Sequence, residues 1–190
     1  QGMKHFITIT LGTGVGSGIV IDGNIVVGHD GFAGELGHTI IRPGGRLHKN
    51  TGMRGSLESY ASATGVRETA IELLTQFPDK ESLLRNYSIN ELTSQTVHEC
   101  AIQGDAIANE IFEFTGQILG ESLANFVMFS SPEAIVLFGG LTKAGNLLLN
   151  PTRKHMEANL LPIFKNKVKL IFSELNESDA AILGASALVW

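Results

Sequence analysis

The chain has 190 residues, 43% hydrophobic and 17% charged, which is apolar enough for one substantial domain or two small ones and too apolar for a disordered segment. Its formal net charge is −5 and its Lys and Arg are scattered, so it shows no basic face for nucleic acid, and no apolar run approaches the roughly 18 residues of a membrane span. A lone cysteine, Cys100, excludes an intramolecular disulfide and a cysteine-based zinc cluster.

In chain order, HFITITL is β-branched with period-2 alternation and predicts a strand. GTGVGSG interrupts it as a glycine-rich turn, and GIVIDGNIVVG predicts two short strands joined at Asp22-Gly23, a strong hairpin signal. Residues 28–55 are polar and glycine-rich, too long for a simple connector, and predict a functional loop in which HTIIR forms a short strand. From Ser56 the period becomes helical through Gln76, with a break near Gly65 and Ser56 or Ser59 as a cap. FPDKESLLRNYS reads as a turn with a short helix, and Ile89–Gln103 as a helix capped by Asn90 that carries Cys100 as a buried thiol. Asp105 caps a longer helix to about Phe129, with Ile107, Ile111, Phe114, Ile118, Leu119, Leu123 and Phe126 on one face. Phe112, Phe126 and Phe129 are assigned to core packing, with a dimer face as the alternative. Pro132 stops that helix. EAIVLFGG predicts a buried strand, LLLNPTRKHMEANLLPIF a helix with a Pro near its first turn, VKLIFSE a strand and DAAILGASALVW a closing helix. The order implies an α/β fold, a mixed sheet covered by helices.

Three stretches carry chemistry. TLGTGVGSG offers exposed backbone N–H groups and small hydroxyls, which suit a phosphate or simply a tight hairpin. No helix follows it and no Lys follows its last Gly, so it is neither a dinucleotide fingerprint nor a P-loop. FGGLTKAG places a Gly pair after a buried strand, where a flat ligand can approach the backbone or where the chain merely turns into a helix. GELGH and its continuation supply Glu35, His38 and Glu58. Such groups suit sugar hydroxyls, which both donate and accept hydrogen bonds, and they equally suit a metal; loop polarity plus a capping Glu is the plainer alternative. Asp30 is a weaker candidate on the same loop, and Glu68 and His98 fall within helices, where a solvated face is the default.

Together TLGTGVGSGIVIDGNIVVG, GFAGELGH, GRLHKNTGMRGSLESYAS, PEAIVLFGGLTKAG and ILGASAL resemble, in order, the ROK family of bacterial sugar kinases and repressors. The resemblance covers essentially the whole chain. It implies an actin-like, ribonuclease-H-like fold and transfer of the ATP γ-phosphate, with Mg2+, to the 6-hydroxyl of a hexose. Glucose leads, with fructose, mannose and N-acetylated amino sugars open. It assigns Glu35, His38 and Glu58 to the sugar, Gly12, Thr13 and Gly14 to the ATP phosphates, and Gly139 and Gly140 to the adenosine side. Family members are often dimers, so the resemblance points to a homodimer, while one cysteine, no membrane-length apolar run and no signal-peptide core at the N-terminus favour a soluble cytoplasmic protein.

Two departures stand out. The family usually carries a zinc knuckle, C-x-C-G-x-x-G-C-x-E, after the motif histidine, and here Lys49, Thr51 and Ser56 stand where the cysteines would. This argues against a structural zinc and for a metal-free loop held by hydrogen bonds and packing. The family's N-terminal domain, with a D-x-G-G-T loop and a catalytic Asp, has no counterpart in these residues. Residues 1–190 are therefore expected to be the C-terminal, sugar- and nucleotide-binding domain. The missing N-terminal domain becomes a partner in the site, and the isolated chain is expected to have negligible kinase activity. An effector-binding domain of a sugar-responsive repressor is the alternative.

Overall fold

A mixed sheet of five strands organises the computed structural model, which describes residues 2–175. The strands are β1 (Phe6–Leu11), β2 (Val15–Ile21), β3 (Asn24–Ile25), β4 (Ala134–Phe138) and β5 (Lys169–Phe172), in the order β3-β2-β1-β4-β5. β1 pairs antiparallel with β2 and parallel with β4, β2 pairs antiparallel with β3, and β4 pairs parallel with β5. Alternation in β1 buries Ile7, Ile9 and Leu11 on one face, as the period-2 pattern requires. Asp22 and Gly23, both at positive φ (52° and 79°), make the predicted two-residue hairpin. The glycine-rich interruption is shorter than expected. Only residues 12–14 turn, and Val15–Ser17 already belong to β2.

The helices are α1 (Glu58–Ala61), α2 (Ala63–Gln76), α3 (Ser94–Ile102), α4 (Ala106–Ser130) and α5 (Asn146–Asn159). Asp105 caps α4 as predicted, its carboxylate accepting the Ala108 N–H at 2.8 Å, and Ser131 in the left-handed region ends it before Pro132. The apolar face of α4 is buried, Phe114 partly so, while Phe129, expected in the core, is 84% exposed. The α1–α2 break falls at Ser62, not Gly65. Ser62 is extended, and its hydroxyl accepts the Gly65 N–H at 2.9 Å. The cap of α3 is Thr93, in a reciprocal capping box with Thr96, rather than Asn90. Glu91 turns back to accept the Ser88 N–H at 2.9 Å, which keeps Asn90 inside a turn. Cys100 is buried, and that burial pushes its thiol above the ordinary range.

Helix α5 stops at Asn159, with Leu160 extended ahead of Pro162, so Leu161–Phe164 are not helical. Pro151 sits well inside the helix instead of in its first turn, and its ring lies against α4 at Gly116, where no side chain opposes it. HTIIR forms no strand; Ile40 makes a single antiparallel bridge to Ser56. The predicted helix DAAILGASALVW lies outside the described residues. No helix among the described residues is long and apolar enough to cross a membrane.

Candidate functional site

The loop from residue 28 to 57 folds back on itself and onto the sheet. The Ile41 and Arg42 N–H groups both donate to Gly55, at 2.8 and 3.0 Å, and the Leu57 N–H donates to Thr39 at 2.9 Å. A small inner hairpin, with Leu47 bridged to Arg54, presents His48 toward α1. Arg46 fastens the loop to the helices. Its guanidinium, 10% exposed, donates to the Ser59 and Gly65 carbonyls at 2.6 and 3.0 Å and to the Thr69 hydroxyl at 2.9 Å. It also pairs with Glu72 and stacks 4.6 Å above the Tyr60 ring. The sequence expectation of a loop held by hydrogen bonds and packing has its counterpart in this residue.

GELGH sits against β2. Ser17 bonds the Gly34 carbonyl through its hydroxyl and accepts the Leu36 N–H at 3.1 Å. Gly34 takes φ +95°, and a side chain on Gly37 would collide with the Val15 carbonyl. These two glycines let the segment lie flat on the strand. Glu35 precedes a single 3₁₀ turn, Leu36–His38, but its carboxylate caps nothing and stays 66% exposed, 3.7 Å from His38 Nε2. The capping alternative is therefore absent. Glu58 opens α1, 15% exposed. One of its oxygens accepts the Val15 N–H at 2.7 Å and the other meets His48 Nε2 at 2.9 Å.

The structure brings the three predicted sugar-site residues into one neighbourhood through a fourth. His38, His48 and Glu58 each offer a donor atom such that the three atoms lie within 4.8 Å of one another, and Glu35 touches His38. The imidazole rings of His38 and His48 are 6.2 Å apart, and His38 Nδ1 is buried without a partner. His48, in the stretch GRLHKNTGMRGSLESYAS, is the link. Its signal was its place beside the Lys49–Glu58 segment. Asp30 lies apart, exposed and 3.6 Å from His29. A thiolate zinc does not fit this loop. Lys49 is exposed, the Thr51 hydroxyl bonds His48 Nδ1 at 2.8 Å, and the Ser56 hydroxyl is buried against Ser59 at 2.7 Å.

The predicted nucleotide residues divide. Gly12, Thr13 and Gly140 line a cavity of about 750 Å³, together with Lys143 and the α3 residues Gln95, His98 and Glu99. Gly14 is not among the residues lining that cavity, and a Cβ added to it would run into the Glu58 carboxylate. Gly139, at φ +101°, packs on the Leu11 backbone, where a Cβ would come within 2.6 Å of the carbonyl oxygen. The α3 residues were missed. His98 was set aside as a solvated helix position, yet it lines the cavity with its ring edge-on to Phe112 at 6.3 Å. Only tertiary packing brings α3 opposite the Gly12–Gly14 turn.

The model of the ROK family matches residues 1–190. The glucokinase of Halalkalibacterium halodurans is 39% identical over the whole chain, which spans 57% of that protein. The N-acetylglucosamine repressor of Escherichia coli O6:H1 is 30% identical, again over the whole chain and 45% of its own length. The crystal structure of a ROK family glucokinase from Streptomyces griseus, in complex with glucose and AMPPNP, superposes with a TM-score of 0.87 at 31% identity. It covers 99% of this chain and 61% of that one. The fold is accordingly the actin-like ATPase, ribonuclease-H-like fold, with its mixed sheet covered by helices.

Proposed function

The chain belongs to the ROK family, and from that premise we propose that it forms the C-terminal, sugar- and nucleotide-binding part of an ATP-dependent hexose kinase acting on the glucose 6-hydroxyl. One observation carries the reading. The turn at residues 12–14 faces the 750 Å³ cavity through Gly12 and Thr13, and it abuts the Glu58 carboxylate through Gly14. Phosphoryl transfer needs the attacking sugar oxygen about 3–3.5 Å from the γ-phosphorus, and a turn suited to phosphate that lies beside a carboxylate suited to the sugar supports that reading.

In this proposal Glu35, His38 and Glu58 accept and donate hydrogen bonds to sugar hydroxyls, which fixes the ring. Backbone around Gly12 and Thr13 receives the phosphates, and the adenosine lies toward Gly139, Gly140 and α3. The sugar 6-oxygen forms a bond to the γ-phosphorus as the bond to the bridging oxygen breaks, releasing ADP. Its proton passes to an Asp carboxylate that we assign to an N-terminal domain outside these residues. Mg2+ would neutralise charge on the phosphates when bound. A cytoplasmic setting and a homodimer belong to the same proposal.

The similarity to the E. coli repressor supports a second reading, an effector domain that binds an N-acetylated amino sugar without transferring phosphate. The full-length protein decides between them. A coupled ADP-release assay with glucose should show turnover, and calorimetric glucose titration should weaken at least tenfold in Glu35→Ala. Binding of an N-acetylated amino sugar without turnover favours the repressor reading, and binding of neither that sugar nor glucose rejects both.

A further inference from the structure

His48 is not among the sugar-site residues assigned above, yet both of its ring nitrogens have polar partners. Nε2 lies 2.9 Å from Glu58 Oε1, and a carboxylate only accepts, so Nε2 carries a proton. The neutral ring then accepts at Nδ1 from the Thr51 hydroxyl, 2.8 Å away, while Thr51 Oγ1 accepts the Met53 N–H at 3.3 Å. The other Glu58 oxygen accepts the Val15 N–H at 2.7 Å. Both residues are only 15% exposed. The result is a directional chain, Met53 N–H to Thr51 to His48 to Glu58, closed from the far side by Val15.

We infer that His48 is a positioning residue, oriented by Thr51, that fixes the Glu58 carboxylate for the sugar in place of a metal-bound loop. The inference rests on the sugar-kinase reading above and adds the residue that arms its acceptor. Thr51 stands at a position where the family places a cysteine, so a substitution that removes a metal ligand supplies the hydroxyl that sets the His48 tautomer. A cation shared by His38, His48 and Glu58 is the competing use of the same atoms. With its proton on Nε2 and its Nδ1 bonded to Thr51, His48 has no free lone pair for a metal, whereas each Glu58 oxygen keeps one that a sugar hydroxyl can use. His38, whose Nδ1 has no partner, and one carboxylate fall short of the three or four protein ligands of a zinc site.

A double-mutant cycle in the full-length protein tests this. Glucose affinity is measured by calorimetry for wild type, His48→Ala, Glu58→Gln and the double variant, with thermal unfolding confirming that each is folded. His48→Ala should weaken glucose about tenfold, the fold-change of one lost hydrogen bond to a charged group. The double variant should bind no worse than Glu58→Gln alone, because His48 acts only through Glu58. His48→Gln, which keeps an N–H donor, should recover part of the loss, while Thr51→Val should show a smaller deficit than His48→Ala. Unchanged glucose binding in His48→Ala, or losses that multiply in the double variant, would overturn the positioning role while leaving the sugar site standing. Stoichiometric zinc in the purified protein, removed by EDTA together with glucose binding, would overturn it in favour of the shared cation. If wild type binds no hexose, the sugar-kinase reading falls, and this inference with it.

Discussion

Gly14→Ala separates the role of the phosphate turn from that of the carboxylate behind it. A Cβ on Gly14 would lie 3.0 Å from Glu58 Cδ and closer still to one carboxylate oxygen. Gly14 is not at positive φ, so alanine meets no backbone strain there. What yields is the end of the Glu58 side chain, which leaves the Val15 N–H and His48 and swings toward solvent. A displaced carboxylate that no longer reaches a sugar hydroxyl loses one hydrogen bond to a charged group, about 1.5–3 kcal/mol. At about 1.4 kcal/mol per tenfold, glucose should bind roughly 10- to 100-fold more weakly. Stability should fall by about 1–3 kcal/mol, since the N–H of buried Val15 loses its acceptor while the apolar core stays packed. Calorimetric glucose titration without nucleotide, alongside urea unfolding of the same full-length variant, reads both quantities and keeps any phosphate contact of Gly14 out of the comparison. Wild-type glucose affinity in Gly14→Ala, or a collapse of the unfolding midpoint, would show that the carboxylate is not what absorbs the clash.

Three further outcomes are expected. Arg46→Ala leaves the Ser59 and Gly65 carbonyls and the Thr69 hydroxyl without their donor, and urea unfolding should show a loss of about 2–4 kcal/mol that Arg46→Lys does not restore. Gly116→Ala, favourable by about 1 kcal/mol in an exposed helix, should instead destabilise by about 1–3 kcal/mol, because its Cβ lies 2.6 Å from Pro151 Cγ between α4 and α5. The Lys4 and His5 N–H groups hold the Glu133 carboxyl below its ordinary value of 4.5 and tie the start of β1 to β4. A lowered folded-state pKa means stability that is fully present above the ordinary value and is lost as pH falls through the folded one. Thermal unfolding of Glu133→Gln should therefore lag wild type at pH 6 and converge with it as the pH drops well below 4.5; a gap that is constant with pH would rule this out.

Much of the fold is local in origin and was legible without coordinates. Alternation fixed β1, Asp22-Gly23 fixed a hairpin, Asp105 fixed the start of α4, and the glycines around Glu35 and His38 marked a segment lying on other backbone. Each depends on residues a few positions apart, so the sequence carries the information directly. Caps were legible only where one candidate stood alone. Asn90 lost to Thr93 because its neighbour Glu91 folded back on Ser88, and Gly65 stayed helical because its missing side chain makes room for the Tyr60 backbone.

The site itself was decided by packing. Sequence spacing places Glu35 beside His38, but it cannot bring Glu58 to the Gly12–Gly14 turn, 44 residues or more away along the chain, nor α3 to the far wall of the cavity. Those approaches need Gly14 and Gly37 to lack side chains while β2, the loop and α1 close on one another, and that condition exists only in the assembled core. The same closure turned His48 from a bystander into the partner of Glu58. Residue chemistry was written in the chain, whereas the pairing of donors with acceptors followed from which surfaces had to be buried together.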